Sequence, residues 1–99
     1  MLPYDDFGDA ILRRYLLPDG QLKTLPSKCK RKLIILEHLV KGLDSTAKYT
    51  EQEINEYVKK HCDDFCTVRR EFIINGFMRR SGEIYEVNPR DAWADWRTL

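Results

Sequence analysis

The stretch that decides the fold is residues 61–87, HCDDFCTVRREFIINGFMRRSGEIYEV. Between residues 64 and 75, apolar side chains recur at spacings of three and four, which predicts a helix. Gly76 follows the end of this helix, where a left-handed backbone is commonly needed. Residues 77–80 and 83–87 predict two strands joined across Ser81 and Gly82. The stretch therefore predicts a helix followed directly by a β-hairpin.

Helical periodicity predicts three more helices upstream of this stretch. Thr50 and Glu53 have the spacing of a capping box, which marks the start of the third of these helices. A short extended segment is expected at residues 21–25, a short strand between the second and third of these helices, and a tight turn at residues 61–64. The expected upstream helices are Asp5–Leu17, a helix from just after Ser27 to about Lys41, and a helix from Thr50 to about Lys60.

The order of elements from Ser27 to Val87 is that of a winged helix-turn-helix, because a short turn joins the last two of three helices and a hairpin follows. We therefore expect an α+β, mainly α, fold with an extra N-terminal helix and a C-terminal β-hairpin wing. A chain of 99 residues is long enough for one domain and too short for two. Its expected parts are an N-terminal helix and extended segment at 1–26, the core and wing at 27–87, and a tail at 88–99.

The sequence favours a reduced, cytoplasmic environment. The longest apolar run, Leu33 to Leu36, is too short for a membrane span or a signal-peptide core. The first six residues are acidic and lack a cationic leader. Three cysteines are an odd number, which argues against a disulfide framework.

Metal binding and catalysis are both disfavoured by the motifs. His61, Cys62 and Cys66 lie within six residues, but the second ligand pair that structural zinc sites need is missing. We therefore expect core or surface thiols, with Cys66 as a small core residue, and no cofactor. The sequence lacks the nucleophile-elbow, phosphate-loop, zinc-protease and dinucleotide motifs, so we expect no catalytic residue and no enzyme activity.

The near-neutral net charge of +1 hides a basic block at residues 21–50, which has seven basic and two acidic residues. The centre of this block is a cationic helix start, where backbone N–H groups favour phosphate binding. The same cluster could instead be a solvated helix face, and the sequence leaves both interpretations open. The four residues of this basic cluster are Lys28, Lys30, Arg31 and Lys32.

The last predicted helix is the candidate recognition helix. Thr67 and Arg70 are expected on its outer face, where they could contact base edges. Asp63 and Asp64 lie at its start, where carboxylates repel phosphates. We interpret both as helix caps, with Asp63 as the N-cap.

Arg79 and Arg80 on the wing could clamp the nucleic-acid backbone. Alternatively, they are edge-strand charges that block sheet-to-sheet aggregation. Strand alternation predicts that the two side chains lie on opposite faces of the hairpin, so one surface would use at most one of them.

Four parts of the chain resemble one small prokaryotic family of unknown function: GQLKTLPSK at 20–28, YTEQEIN at 49–55, DDFCTVRRE at 63–71, and Gly76. The similarity covers about residues 10–87. The family occurs alone or attached to helix-turn-helix transcriptional regulators, so the resemblance implies a role in nucleic-acid binding. It carries over no catalytic residue, since the family has none established. Cys29 and Cys66 depart from its pattern, standing where a basic and a small residue are usual.

Two functions remain as hypotheses. The first is a DNA-binding transcriptional regulator that holds duplex DNA through the basic cluster, the recognition helix and the wing. The second is a protein-interaction module in which Trp93 and Trp96 of the tail form an interface, for example of a homodimer. The tail could also dock on its own domain, since isolated aromatic anchors commonly serve their own core.

Overall fold

The structure is a computed structural model that describes residues 3–98, with side chains described from residue 7 onward. Met1, Leu2 and Leu99, which the predicted domain includes, lie outside the described residues. The described part is an α+β fold with four helices and one three-stranded antiparallel sheet, so the expected class is confirmed at this level. Its elements are α1 (Pro3–Tyr15), α2 (Cys29–Val40), β1 (Lys48–Thr50), α3 (Glu51–Lys59), α4 (Phe65–Ile74), β2 (Met78–Ser81) and β3 (Ile84–Val87), with 3₁₀ turns at Arg90–Ala92 and Trp96–Thr98.

Helix α1 ends two residues before the predicted end at Leu17, because the chain turns back on itself. Leu16 forms an isolated β-bridge with Leu22, and the N–H of Leu17 donates to the carbonyl of Gln21. The segment expected to be extended at 21–25 is therefore tied to the end of α1 by a bridge and does not form a strand.

The sheet has the strand order β1-β3-β2. The predicted hairpin is confirmed, and Ser81 pairs with Ile84 across a two-residue turn in which Gly82 has a φ of 61°. Strand β1 pairs with β3 through Tyr49 and Tyr85. This third strand lies between α2 and α3, where the sequence predicts a short strand, and that prediction is confirmed.

Helix α2 forms the centre of the core. Ile35, Leu36, Leu39 and Val40 form one buried apolar stripe of this helix, and Leu33 and Ile34 are buried as well. Elements on several sides cover α2, since it packs against α1, α4 and the tail. A helix covered in this way buries residues outside a single stripe.

The starts of α3 and α4 differ. The capping box of α3 is confirmed: Thr50 Oγ1 accepts from the N–H of Glu53 at 3.1 Å, and Glu53 accepts from the N–H of Thr50 at 2.9 Å. The prediction for α4 was wrong. Its N-cap is Asp64 rather than Asp63, and no described side chain caps it with a hydrogen bond.

Cys66 was also wrongly predicted as a core residue. Cys66 is the second residue of α4 and its side chain is exposed to solvent, while Val68 and Phe72 face the core. The local periodicity places Val68 and Phe72 inward, and Cys66 then falls on the opposite side of the helix.

The tail docks on its own domain. The Trp96 side chain is 3% exposed, lies against Phe7 of α1 and donates from Nε1 to Glu37 of α2 at 3.3 Å. Trp93 packs against Phe77 and donates from Nε1 to the carbonyl of Asn88 at 2.8 Å. Of the possibilities considered for the tail, this structure shows intramolecular docking.

Within residues 3–98, none of the helices combines the length and apolar character required to cross a bilayer.

Candidate nucleic-acid interface

The outer face of α4 is a narrow stripe of exposed residues. Cys66, Arg70 and Ile74, at intervals of four, are exposed. Thr67, which was expected on the outer face, is half-buried, and so is Glu71, which lies on the flank that turns toward α2. Of the two predicted base-contacting residues, Arg70 therefore projects into solvent and Thr67 lies at the edge of the face.

One ion pair joins the basic cluster to α4. Lys32 Nζ donates to Glu71 Oε1 at 2.9 Å, and both side chains are largely shielded from solvent. Because Glu71 directly follows Arg70, this contact places the start of α2 beside the middle of α4. The sequence separation of 39 residues explains why no local pattern indicated this pair.

The other members of the basic cluster differ in their surroundings. Lys28 is exposed at the N-cap position of α2. Lys30 Nζ lies 5.0 Å from the ring centroid of Phe7, which is a cation–π contact. Arg31 is half-buried. The cluster is therefore partly packed against the domain, with Lys28 as its most open cation.

The start of α2 favours negative charge from outside the domain. Its first turn holds no acidic residue, and none of the side chains in the described region accepts a hydrogen bond there as a cap. The first N–H groups of a helix carry partial positive charge, and here Lys28 and Lys30 add to it. Phosphate oxygens are suitable acceptors for such a site.

The opposite flank of α4 is held by Glu51 at the start of α3. Arg69 and Arg80 approach Glu51 Oε1 at 3.7 and 3.8 Å, and Tyr85 donates to the same oxygen at 2.9 Å. Arg69 also donates to Asn55. Burial, followed by the contact with Glu51, raises the pKa of Tyr85. A single carboxylate, that of Glu51, thus lies between the two arginines of α4 and the hairpin and offsets half of their positive charge.

The two arginines of the hairpin lie on opposite faces, as strand alternation predicts. Arg79 pairs with Glu86 across the hairpin at 3.2 Å and donates to Asn88 at 3.0 Å. Arg80 lies on the other face, against Glu51 and Tyr85. Each arginine therefore has a carboxylate neighbour. Arg80 lies near α4, because its neighbour Glu51 also contacts Arg69 of that helix, whereas Arg79 lies apart from α4.

The residues considered for metal binding do not form a ligand set. His61 Nδ1 lies 3.1 Å from the carbonyl oxygen of Gly20, and burial raises the pKa of the half-buried Cys62 thiol. In the part of the chain that the structure describes, no group of three or more His, Cys, Asp or Glu side chains is placed to hold a metal ion.

Comparison with known proteins identifies the family. A family model described as "Uncharacterized protein conserved in bacteria (DUF2087)" matches residues 21–87, well over half of the chain, and the protein belongs to this family. The match begins at residue 21, so α1 and the Trp-containing tail lie outside it. No curated protein and no solved structure matches the chain.

Proposed function

We propose that this chain is a winged helix-turn-helix domain that binds duplex DNA and acts in transcriptional regulation in the bacterial cytoplasm, without catalytic activity. The order α2-β1-α3-α4-β2-β3 supports this proposal, with the hairpin directly after α4. In proteins of this type the second helix of the turn enters the major groove. The resemblance to a family that also occurs attached to helix-turn-helix regulators agrees with it.

The observation that carries the proposal is the 2.9 Å contact between Lys32 and Glu71. It neutralises the acidic residue on the α2-facing flank of α4 and brings Lys32 of the basic cluster against the residue that follows Arg70. In this arrangement Lys28, Lys30 and Arg31 bind phosphates, and Lys32 positions the cluster. Arg70 contacts base edges, with Thr67 at the rim of the same contact.

The acidic residues at the start of α4 determine which part of the helix would enter the groove. Asp63 and Asp64 are exposed at its start, and neither caps the helix through a described side-chain hydrogen bond. Carboxylates at this end would repel the phosphates that line the groove. We therefore propose that the middle and C-terminal half of α4 makes the deeper contact.

The wing contributes less in this proposal. Arg79 and Arg80 would have to leave Glu86 and Glu51 to bind phosphates. Glu83 is exposed in the two-residue turn at the tip. Replacing either arginine with alanine should weaken DNA binding less than replacing Lys28.

The test is fluorescence anisotropy of labelled random duplex DNA at several salt concentrations. Wild-type protein should bind with an affinity that falls steeply as salt rises, because each phosphate contact releases counterions. Lys28→Ala should weaken binding to all sequences alike and reduce the salt slope by about one. Arg70→Ala should relax sequence preference.

Lys41→Ala is the matched control. Lys41 is also an exposed lysine of the α2 region, but it lies beyond the opposite end of the helix, about 20 Å from Lys28 at 1.5 Å per residue. Equal losses for Lys28→Ala and Lys41→Ala would show binding by bulk charge and contradict the proposed surface. No binding at micromolar protein, or a flat salt slope, would contradict DNA binding altogether.

The alternative, a protein interface or homodimer through the tail, has less support. It would require Trp96, 3% exposed, to leave the core of its own domain. Trp93 is half-buried and already engaged with Phe77 and Asn88. An interface built on these two side chains would therefore have to replace contacts that the domain makes by itself.

A further inference from the structure

Ile74, the last residue of α4, is a large apolar side chain in an unusual position. It is 65% exposed, compared with 40% for Leu17 and 37% for Ile84, the other large hydrophobic residues exposed within the described part. A β-branched residue also has a lower helix propensity than alanine. Neither burial nor helix formation accounts for isoleucine at this position.

Ile74 shares its helix face with Arg70. The two residues are four apart on the exposed stripe of α4, so their Cα atoms lie about 6 Å apart along the axis. Base pairs of a duplex are stacked about 3.4 Å apart. If Arg70 contacts one base edge, Ile74 lies opposite a position about two base pairs away.

The charges around this exposed stripe of α4 indicate which kind of partner surface would be complementary to it. Arg70 forms no ion pair with any of the side chains that the structure describes, and the neighbouring flank holds the basic cluster at the start of α2. A surface that combines negative charge with an apolar group within about 6 Å of a hydrogen-bond acceptor would be complementary to this stripe. The major groove offers this combination, and its apolar group is the 5-methyl group of thymine.

We infer that Ile74 is a specificity-determining residue that contacts the 5-methyl group of a thymine, about two base pairs from the base that Arg70 contacts. This inference rests on the proposed DNA binding. Arg70 would then recognise one base by hydrogen bonding, and Ile74 would recognise a nearby thymine by apolar contact.

The experiment uses duplexes selected from a random pool by the wild-type protein. Each thymine in a selected duplex is replaced in turn by deoxyuridine, which lacks only the methyl group. At one position the replacement should weaken wild-type binding by about fourfold, the usual effect of one buried methyl group. Ile74→Ala should bind the thymine and deoxyuridine duplexes equally, and Ile74→Leu should retain part of the preference.

Ile84→Ala is the matched control, since it removes the same side chain from the wing and should keep the thymine preference. Because Ile74 is exposed, Ile74→Ala should fold normally, which circular dichroism and thermal unfolding would verify.

The outcomes separate this inference from the proposed function. Failure of the wild-type protein to bind any duplex would overturn both. Binding without any effect of deoxyuridine would overturn only the role of Ile74. A deoxyuridine effect as large in Ile74→Ala as in the wild-type protein would overturn it as well. A loss of self-association in Ile74→Ala, seen by sedimentation with unchanged DNA binding, would also overturn it and assign the residue to a protein contact.

Discussion

Gly76 joins α4 to the hairpin under two separate constraints. Its φ of 78° is a left-handed conformation that side chains other than that of glycine rarely adopt. A Cβ atom at this position would also overlap the carbonyl oxygen of Ala92. Gly82, in the hairpin turn, has a φ of 61°, but a Cβ atom there would meet no atom within 4 Å. Comparing substitutions at the two glycines therefore separates the free-energy cost of the left-handed conformation from the cost of the clash with Ala92.

Gly76→Ala should lower the free energy of unfolding by roughly 3 kcal/mol, because strain and overlap add. Gly82→Ala should lower it by roughly 1 kcal/mol, from strain alone. Urea denaturation followed by circular dichroism measures both values. Equal losses in the two variants would show that the Ala92 carbonyl moves aside without cost.

At the scale of elements, the tail stabilises the pair formed by α1 and α2. Trp96 lies between Phe7 of α1 and Glu37 of α2, and Arg97 donates to Glu37 at 3.1 Å. Burial by itself would raise the pKa of Glu37, but hydrogen bonds from Arg97 and Trp96 and the charge of Lys41 hold it below its ordinary value. The tail is thus held by an apolar ring and an ionised carboxylate together.

Trp96→Ala should destabilise the domain by about 3–5 kcal/mol, as expected for a large buried aromatic residue. Arg97→Ala should cost less than about 1 kcal/mol, because the Arg97 side chain is partly exposed and its ion pair is screened. Thermal and urea denaturation provide the comparison.

Truncation after Asn88 distinguishes the two interpretations of the tail. Loss of the cooperative unfolding transition is expected, since the removed residues cover α1 and α2. A folded monomer that has lost dimerisation would instead support an interface between copies.

At the scale of the whole molecule, stability should depend on pH through His38. Partial desolvation, followed by the positive charges of His61 and Lys41, lowers the pKa of His38 below its ordinary value. The unfolded chain therefore binds a proton more readily than the folded chain does. The free energy of unfolding should fall as the pH drops below about 6.5, the ordinary pKa of histidine, until it reaches the lower pKa of the folded state.

His38→Gln tests this expectation, because it replaces the titrating group with a neutral polar side chain at a position that is only partly desolvated. In urea denaturation at a series of pH values, the variant should show a shallower decline than wild type between neutral pH and the folded-state pKa. An identical decline in both proteins would assign the pH dependence to other groups.

The parts of the fold that the sequence determined by itself depend on contacts between near neighbours. The capping box joins residues 50 and 53, and the hairpin turn spans residues 81–84. Gly76 adopts the left-handed conformation that follows the end of α4. Such contacts leave a pattern at fixed short spacing. Helices and hairpin could therefore be predicted from periodicity and turn residues.

The candidate site was determined only by the tertiary structure. Lys32 meets Glu71 across 39 residues, and Trp96 meets Glu37 across 59. Glu51 gathers cations from α4 and β2. The basic cluster and Arg70 could be named from the sequence, but their neighbours could not, because an ion pair between distant residues leaves no periodic signal. Packing decides which charges stay available to a partner, and it leaves Arg70 and Ile74 together on the exposed face of α4.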